Sequence, residues 1–271
     1  MIDLEKLAQE VGALATKAGI YIRNERLSFD PNRIEHKGLN DLVSYVDKEA
    51  EQMIVAGLRT LLPDAGFVTE EGTVSKSDGL TDPGPGTYWI IDPLDGTTNF
   101  IHGLPIYAVS IGLSIAGTLA LGCVYEPNHA ELFLAWQDGG AWLNGKRIHV
   151  QPTPSLAGGL LATGFPYSKF DKQAAYLATI DEMMRSSHGL RRMGSAAVDL
   201  AYTACGRFEG FFEYNLKAWD VAGGIVLVRE AGGKVTDFAG GDNCLYGGQL
   251  IAAGPSHASM QALIAANFGE W

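Results

Sequence analysis

Basic charge is in short supply in this 271-residue sequence: 20 lysines and arginines face 31 aspartates and glutamates, for a net charge of −11. A protein that grips nucleic acid normally carries a basic stripe. Only short pairs such as Lys146-Arg147 and Arg191-Arg192 occur here, which argues against nucleic acid as the main ligand. Cysteine is scarce too. Cys123, Cys205 and Cys244 are scattered with no Cys-x-x-Cys pair, so a disulfide framework is excluded and a reducing cytoplasm fits. The six histidines show no His-x-x-x-His spacing, which argues against zinc, and most are expected on the surface or in loops. An apolar leader is also missing, because the first ten residues, MIDLEKLAQE, are charged.

The one long uncharged run, 103–125, does not read as a membrane span. Large residues fall at alternate positions (Tyr107, Val109, Ile111, Leu113, Ile115, then Leu119, Leu121, Cys123, Tyr125), with small ones between. That period of two, broken near Gly117, predicts two strands of a hairpin.

What is present describes a globular chain, 46% hydrophobic and 19% charged. Leu4, Leu7, Ala8, Val11, Leu14, Ala15, Ala18 and Ile22 follow a helical period. After a polar turn at 29–39, a second helix is expected to start near Asn40 or Asp41 and to stop at Pro63-Asp64-Ala65-Gly66. Short strands follow at 67–69 and 88–91, then the hairpin, a strand at 131–136 and an Asn144-Gly145 turn. The second part alternates: strand 159–163, helix 171–185, helix 195–205, strand 208–213, helix 221–231. The fold class is therefore layered helices and sheets in one domain over 1–271, with an α+β half of about 1–145 and an α/β half of about 146–271.

The densest chemistry lies in Asp92-Pro-Leu-Asp-Gly-Thr-Thr-Asn-Phe100. A hydrophobic strand is expected to end at Asp92 because Pro93 stops it, leaving Asp95 near enough to share an ion with Asp92. Gly96, Thr97 and Thr98 can expose successive backbone N–H groups to an anion. A plain capped turn would use the same residues. Glu70 and Glu71 follow a strand, where a solvated pair is the bland alternative; Asp220 opens an apolar helix, where an N-cap is. Asp47 falls on the inward side of the second helix and needs a partner, since an unpaired buried carboxylate costs several kcal/mol. Together these leave several acids at element ends with few cations nearby in sequence.

On these residues the chain resembles the inositol monophosphatase family. The motifs are Lys37-Gly38 and Asn40-Asp41, Glu70-Glu71, the 92–100 stretch, Gly194-Ser-Ala-Ala, Glu213 and Trp219-Asp-Val-Ala-Gly, covering nearly the whole chain. The resemblance implies an alternating α-β-α-β-α sandwich and a magnesium-dependent phosphatase acting on a small phosphorylated polyol or sugar, most directly an inositol monophosphate. It implies two or three Mg²⁺ ions held by Glu70, Asp92, the Leu94 carbonyl, Asp95 and Asp220. Asp95 and Gly96 to Thr98 would contact the phosphate; Gly194, Ser195, Ala196, Glu213 and Asp220 would contact the alcohol. A cytoplasmic homodimer sensitive to lithium is implied as well. All-oxygen ligands suit such a hard ion. The expected mechanism is in-line attack by a metal-activated water oriented by Glu70 and Thr97, with Asp47 bonded to that threonine. Fructose 1,6-bisphosphatase, 3′(2′),5′-bisphosphate nucleotidase and histidinol phosphatase are the alternatives on the same architecture. An RNA- or transcription-associated regulator retaining the fold is the non-enzymatic one. Thr69 departs from the glycine the family often has there, and the 163–168 loop is where members differ, so it bears on substrate identity.

Two features lead elsewhere. A covalent aspartyl-phosphate route would want D-x-D-x-[TV], and the spacing here is D-x-x-D-G-T. The stretch Gly140 to Arg147 nearly matches a nucleotide P-loop, but Arg147 stands where Ser or Thr should hold magnesium, and Asn144-Gly145 suits a hairpin. Trp136 and Trp142 are expected in the core, and Arg191-Arg192 can be a solvated pair or a contact to a second phosphate or subunit.

Overall fold

The computed structural model describes residues 2–29, 34–36, 42–74, 77–166 and 171–269. Helix α1 (Leu4–Leu27) is capped by Asp3, whose side chain accepts from the Lys6 N–H, and buries Leu7, Val11, Ala15 and Ile22. Strands β1 (Ile34–His36) and β2 (Leu42–Ser44) pair antiparallel. Helix α2 (Tyr45–Leu61) follows directly. Its cap is Ser44 rather than Asn40 or Asp41, which lie outside the described residues. The Ser44 side chain accepts from the Val46 N–H, and Asp47 reaches back to the Ser44 N–H at 2.9 Å. That reciprocal box starts the helix later than its apolar period alone suggests.

Next come β3 (Gly66–Thr69), β4 (Thr87–Asp95), the six-residue α3 (Thr97–His102), β5 (Ala108–Ile115), β6 (Thr118–Glu126), β7 (Glu131–Trp136), β8 (Gly140–Leu143) and β9 (Lys146–Ile148). The seven strands form one sheet in chain order, antiparallel except for β3 beside β4. Pro93 does not end β4 as expected. The strand continues to Asp95 through a register shift between Asp92 and Asp95, a bulge that accommodates a residue without an N–H. The uncharged run forms the β5–β6 hairpin, turned by Ala116 and Gly117, both at positive φ (51° and 80°). Asn144-Gly145 makes the matching β8–β9 turn (φ 48° and 75°), so the near P-loop is a hairpin.

The remaining elements are β10 (Leu160–Thr163), α4 (Gln173–Ser186), β11 (Gly189–Arg191), α5 (Ala196–Ala204), β12 (Gly210–Tyr214), α6 (Ala218–Glu230), β13 (Lys234–Thr236), β14 (Gln249–Ala253) and α7 (His257–Phe268). Their strands make a five-stranded sheet ordered β11-β10-β12-β14-β13, with β10 parallel to both neighbours. The first sheet ends at Ile148 and the second begins at Leu160.

The layers alternate as α1/α2, seven-stranded sheet, α5/α6, five-stranded sheet, α4/α7. Apolar clusters fill the gaps between the layers. Val109, Ile111, Leu113, Leu121 and Cys123 face α1 and α2. Val221, Ile225 and Val228 of α6 meet both sheets, and Phe212, Phe238 and Met260 lie under α4 and α7. The small alternate residues of the hairpin are explained by α6: a Cβ on Gly122 would sit 2.3 Å from the Gly223 carbonyl. The helix backbone rests directly on the strands, so only glycine fits there.

Some expectations need correction. His257 is buried, not superficial; it lies at the start of α7 with Nε2 3.0 Å from Thr236 Oγ1. Trp136 and Trp142 are half-buried and stack on each other at the far side of the first sheet, with Arg147 over Trp142. Helix α6 begins at Ala218, before the expected 221. The three cysteines are free thiols. Among the described residues no helix is long and apolar enough to cross a membrane.

Candidate active site

Four element ends converge between the two sheets. The end of β4 supplies Asp92 and Asp95, the first turn of α6 supplies Asp220, the residue after β3 is Glu70, and α3 begins immediately after Gly96. Carboxylate oxygens of Asp92, Asp95 and Asp220 all lie within 4.8 Å of one another. Glu70 stands outside that triad but lies near enough for its carboxyl group to raise the pKa of Asp92.

Each acid is held by local chemistry. Asp92, 2% exposed, accepts the Leu94 N–H at 2.9 Å across the bulge. Asp220 is the third residue of α6 rather than its cap. Its Oδ2 accepts the Lys217 N–H at 2.7 Å, the backward half of a capping box. Asp95 reaches into the second half of the molecule, where its Oδ2 accepts from Ser195 Oγ and from the Ala197 N–H, both at 2.6 Å. Asp95 thus serves the N-terminus of α5 as well as the triad.

With no cation among them, these carboxylates resist ionising. Burial and the charges of Glu70, Asp95 and Asp220 push Asp92 well above the usual range. Burial and Asp95 raise Asp220 to about 8. Burial raises Asp95 to about 6 against the pull of Ser195, Ala197 and Arg192. Three clustered carboxylates short of positive charge, offering oxygen alone, fit a hard divalent cation.

Beside the triad, Gly96 occupies a left-handed conformation (φ 99°) where a Cβ would lie 3.0 Å from the Ile106 carbonyl and 3.2 Å from that of Gly194. The chain can pass here only as glycine, and Thr97 and Thr98 then open α3. Six residues are too few for a self-supporting helix. Phe100 anchors it edge-on against Phe29 (5.1 Å) and Tyr107 (5.5 Å). Asn99 Nδ2 donates to the Ile106 and Met193 carbonyls, at 2.7 and 2.8 Å, tying α3 to the loop before α5. Asp47, fully buried, accepts the Thr97 hydroxyl at 2.8 Å; the same oxygen lies 3.0 Å from the Leu94 carbonyl. Burial raises the Asp47 pKa, opposed by its bonds to Ser44 and Thr97.

On the other side, Glu213 on β12 packs its carboxyl against the backbone of Gly164. Burial and the charges of Asp220 and Asp95 raise it to about 8. Ser195 is committed to Asp95 and to capping α5 through the Val198 N–H, so its hydroxyl is less available to a ligand than its place in the motif suggests. Gly194 turns the chain at φ 90° against Asn99. Of the undecided arginine pair, Arg191 is exposed on β11, whereas the Arg192 charge acts on Asp95, Asp199 and Glu213 and its guanidinium lies 5.9 Å over Phe165.

Sequence reasoning passed over two acids. Glu51, fully buried one turn beyond Asp47, accepts the N–H of Glu71 (2.8 Å) and both the N–H and hydroxyl of Thr73 (2.8 and 2.6 Å). It fixes the loop that carries Glu70, and its i, i+4 spacing from Asp47 was the available signal. Asp199, 1% exposed, has an Oδ1 without a hydrogen-bond partner among the described residues, and burial with the charges of Glu213 and Asp95 raises it well above the usual range. Thr69 is buried with its hydroxyl likewise unpartnered.

The statistical model described as the inositol monophosphatase family matches residues 3–270. The protein named Nus factor SuhB from Vibrio cholerae is 42% identical over 241 residues, 89% of this chain and 88% of that protein. Its namesake from Escherichia coli is 43% identical over the same length and shares. Among solved structures, the extragenic suppressor protein suhB from Bartonella henselae superimposes with a TM-score of 0.88 at 36% identity, covering 96% of this chain and 98% of that one. An inositol monophosphatase from Anabaena does so with 0.84 at 32%, covering 98% and 97%.

Proposed function

Because the chain belongs to the inositol monophosphatase family, we propose that it is a magnesium-dependent phosphatase that hydrolyses a phosphate monoester of a small polyol, most directly an inositol monophosphate. The observation that carries this reading is the meeting of Asp92, Asp95 and Asp220, drawn from both halves of the chain, beside the start of α3. Uncatalysed hydrolysis of such an ester is extremely slow. The proposed ligands are Glu70, Asp92, the Leu94 carbonyl, Asp95 and Asp220. Magnesium, when bound there as two or three ions, supplies the positive charge that screens the phosphate, activates water and steadies the departing alkoxide.

The chain's own groups do the rest. Asp47 or the Leu94 carbonyl takes the single Thr97 hydroxyl proton, so Thr97 Oγ1 turns lone pairs outward and accepts a hydrogen from water. Glu70, held by the Glu51-anchored loop, accepts the other proton and sets the line of attack. The α3 amides of Thr97 and Thr98 face the phosphate oxygens. Glu213 and the Gly194–Ala196 backbone receive the hydroxyls of the polyol. Homodimerisation and inhibition by lithium belong to the same reading, as does a reducing cytoplasm that keeps three thiols free.

Phosphate release from inositol 1-phosphate, fructose 1,6-bisphosphate, 3′-phosphoadenosine 5′-phosphate and histidinol phosphate, each with Mg²⁺ and with chelator, tests it. Turnover that is fastest on inositol 1-phosphate and abolished by chelation is the expected result; a different preferred ester replaces the substrate, and no turnover on any refutes the enzyme. A second reading, a regulator that retains the fold, is favoured by the name Nus factor carried by relatives above 40% identity. Salt-sensitive retention of RNA by the purified protein, with no turnover, would favour it.

A further inference from the structure

Away from the acidic site, a cleft of about 720 Å³ opens between the β5–β6 turn, the C-terminal end of α6, β13 and the 240–245 loop. Ile225 and Arg229 line it, about 7.5 and 13.5 Å further along the helix than Asp220 at 1.5 Å per residue. Its floor is apolar, with Leu119, Ile225 and Val235, and its rim carries Arg229, Lys234 and Asp242. Its charged lining side chains are two cations and one carboxylate, with the charge of Asp237 also reaching Cys244, in a chain of net charge −11.

Neither cation pairs with a carboxylate among the described residues. Arg229 is held instead by a weak contact to Cys244 Sγ at 3.6 Å. A basic residue in the last turn of a helix can simply complement its dipole. That accounts for Arg229 but not for Lys234, which stands on another element. The last carbonyls of α6 are moreover already served by the N–H groups of Ala231, Gly232 and Gly233. An apolar floor, two cations lining one cleft without a carboxylate partner among the described residues, and a volume within the range of small-molecule sites together define a binding site.

We propose that this cleft binds a small organic anion: an apolar ring system carrying one phosphate, sulfonate or carboxylate. The ring covers Leu119, Ile225 and Val235, and the anion bridges Arg229 and Lys234. The dye 8-anilinonaphthalene-1-sulfonate has this chemistry and reports its own burial by fluorescence. It should bind the magnesium-loaded, phosphate-saturated protein at one saturable site. Joint replacement Arg229→Gln and Lys234→Gln should weaken binding about tenfold or more, while Asp242→Asn, which removes a like charge, should tighten it about threefold. Both variants should keep wild-type phosphate-ester turnover and circular dichroism. Absence of a saturable site, unchanged affinity in the double variant, or weaker binding by Asp242→Asn each overturns the proposal. If the double variant does not fold, the sign of the Asp242→Asn effect alone decides.

Discussion

Magnesium binding to this acid cluster should expel protons, in a number that the geometry sets. A carboxylate must be ionised to ligate. At pH 7 a group raised to about 8, as Asp220 is, remains roughly nine-tenths protonated in the metal-free protein. Asp95, at about 6, is roughly one-tenth protonated, and burial with the charges of Glu70, Asp95 and Asp220 pushes Asp92 in the same upward direction. Asp220 and Asp95 together should therefore release about one proton per protein. The apparent affinity for Mg²⁺ should then rise at least about tenfold per pH unit near neutrality, because its logarithm climbs with pH at a slope equal to the protons released. Above about pH 9 the dependence should flatten, since Asp220 has by then lost its proton unaided.

Calorimetric titration at pH 7 in two buffers of different ionisation enthalpy counts these protons directly, and a pH series of dissociation constants gives the same number independently. Asp220→Asn should remove about one. A slope below about 0.3 between pH 6 and 8 would mean that Asp220 is already ionised without metal. The clustering of the three carboxylates, and the site built on it, would then be refuted.

The same acids predict the stability of the metal-free protein. Asp95, Glu213 and Asp220 have folded-state values above those of the unfolded chain, so the fold binds the extra protons and loses stability as pH rises from about 5 to 8. Thermal midpoints in chelator should fall over that window and Mg²⁺ should level the trend; a rising midpoint contradicts it. Thr97→Ala should lower turnover about 10²–10³-fold while leaving Mg²⁺ affinity within about threefold, measured by steady-state kinetics beside the titration above. Glu51→Gln turns an amide toward the donors of Glu71 and Thr73, and should cost about 1–3 kcal/mol in denaturant unfolding and weaken Mg²⁺ binding through Glu70. Gly96→Ala forces a Cβ to 3.0 Å from the Ile106 carbonyl at φ 99° and should cost about 1–3 kcal/mol with loss of turnover; an active, equally stable variant disproves the close approach.

The sequence made the strand tips readable because periodicity and punctuation agree there. Alternation marked β5 and β6, and Asn144-Gly145 marked the β8–β9 turn. Where an acid does two things, the pattern misled. Asp47 and Asp220 each reach back to cap their own helix, so both helices begin where those carboxylates dictate rather than where the apolar period starts. Pro93 read as a strand stop because the bulge that tolerates it depends on pairing to β5, which is not local. Glu51 and Asp199 were hard to read for a related reason. Their roles lie in which backbone groups or acids they meet across the fold, and apart from the i, i+4 spacing of Glu51 from Asp47 nothing in the residues around them announces it.

The boundary between the two halves is therefore not a seam with a site laid on it. Asp95 belongs to the first sheet, yet its Oδ2 accepts from Ser195 and Ala197 at the start of α5 in the second half, and Asn99 beside it binds the Met193 carbonyl. A charge at Asp95 is favoured by Ser195, by the Ala197 N–H and by the positive end of α5. This is why it stays closer to ionisation than Asp220, which is half-buried as it is. One carboxylate already ionised at neutral pH would give an arriving cation its first foothold, and its companions would lose their protons in response. On the proposed function, the group that joins the halves would thus also start the assembly of the site, and its pairing with α5 would serve both ends.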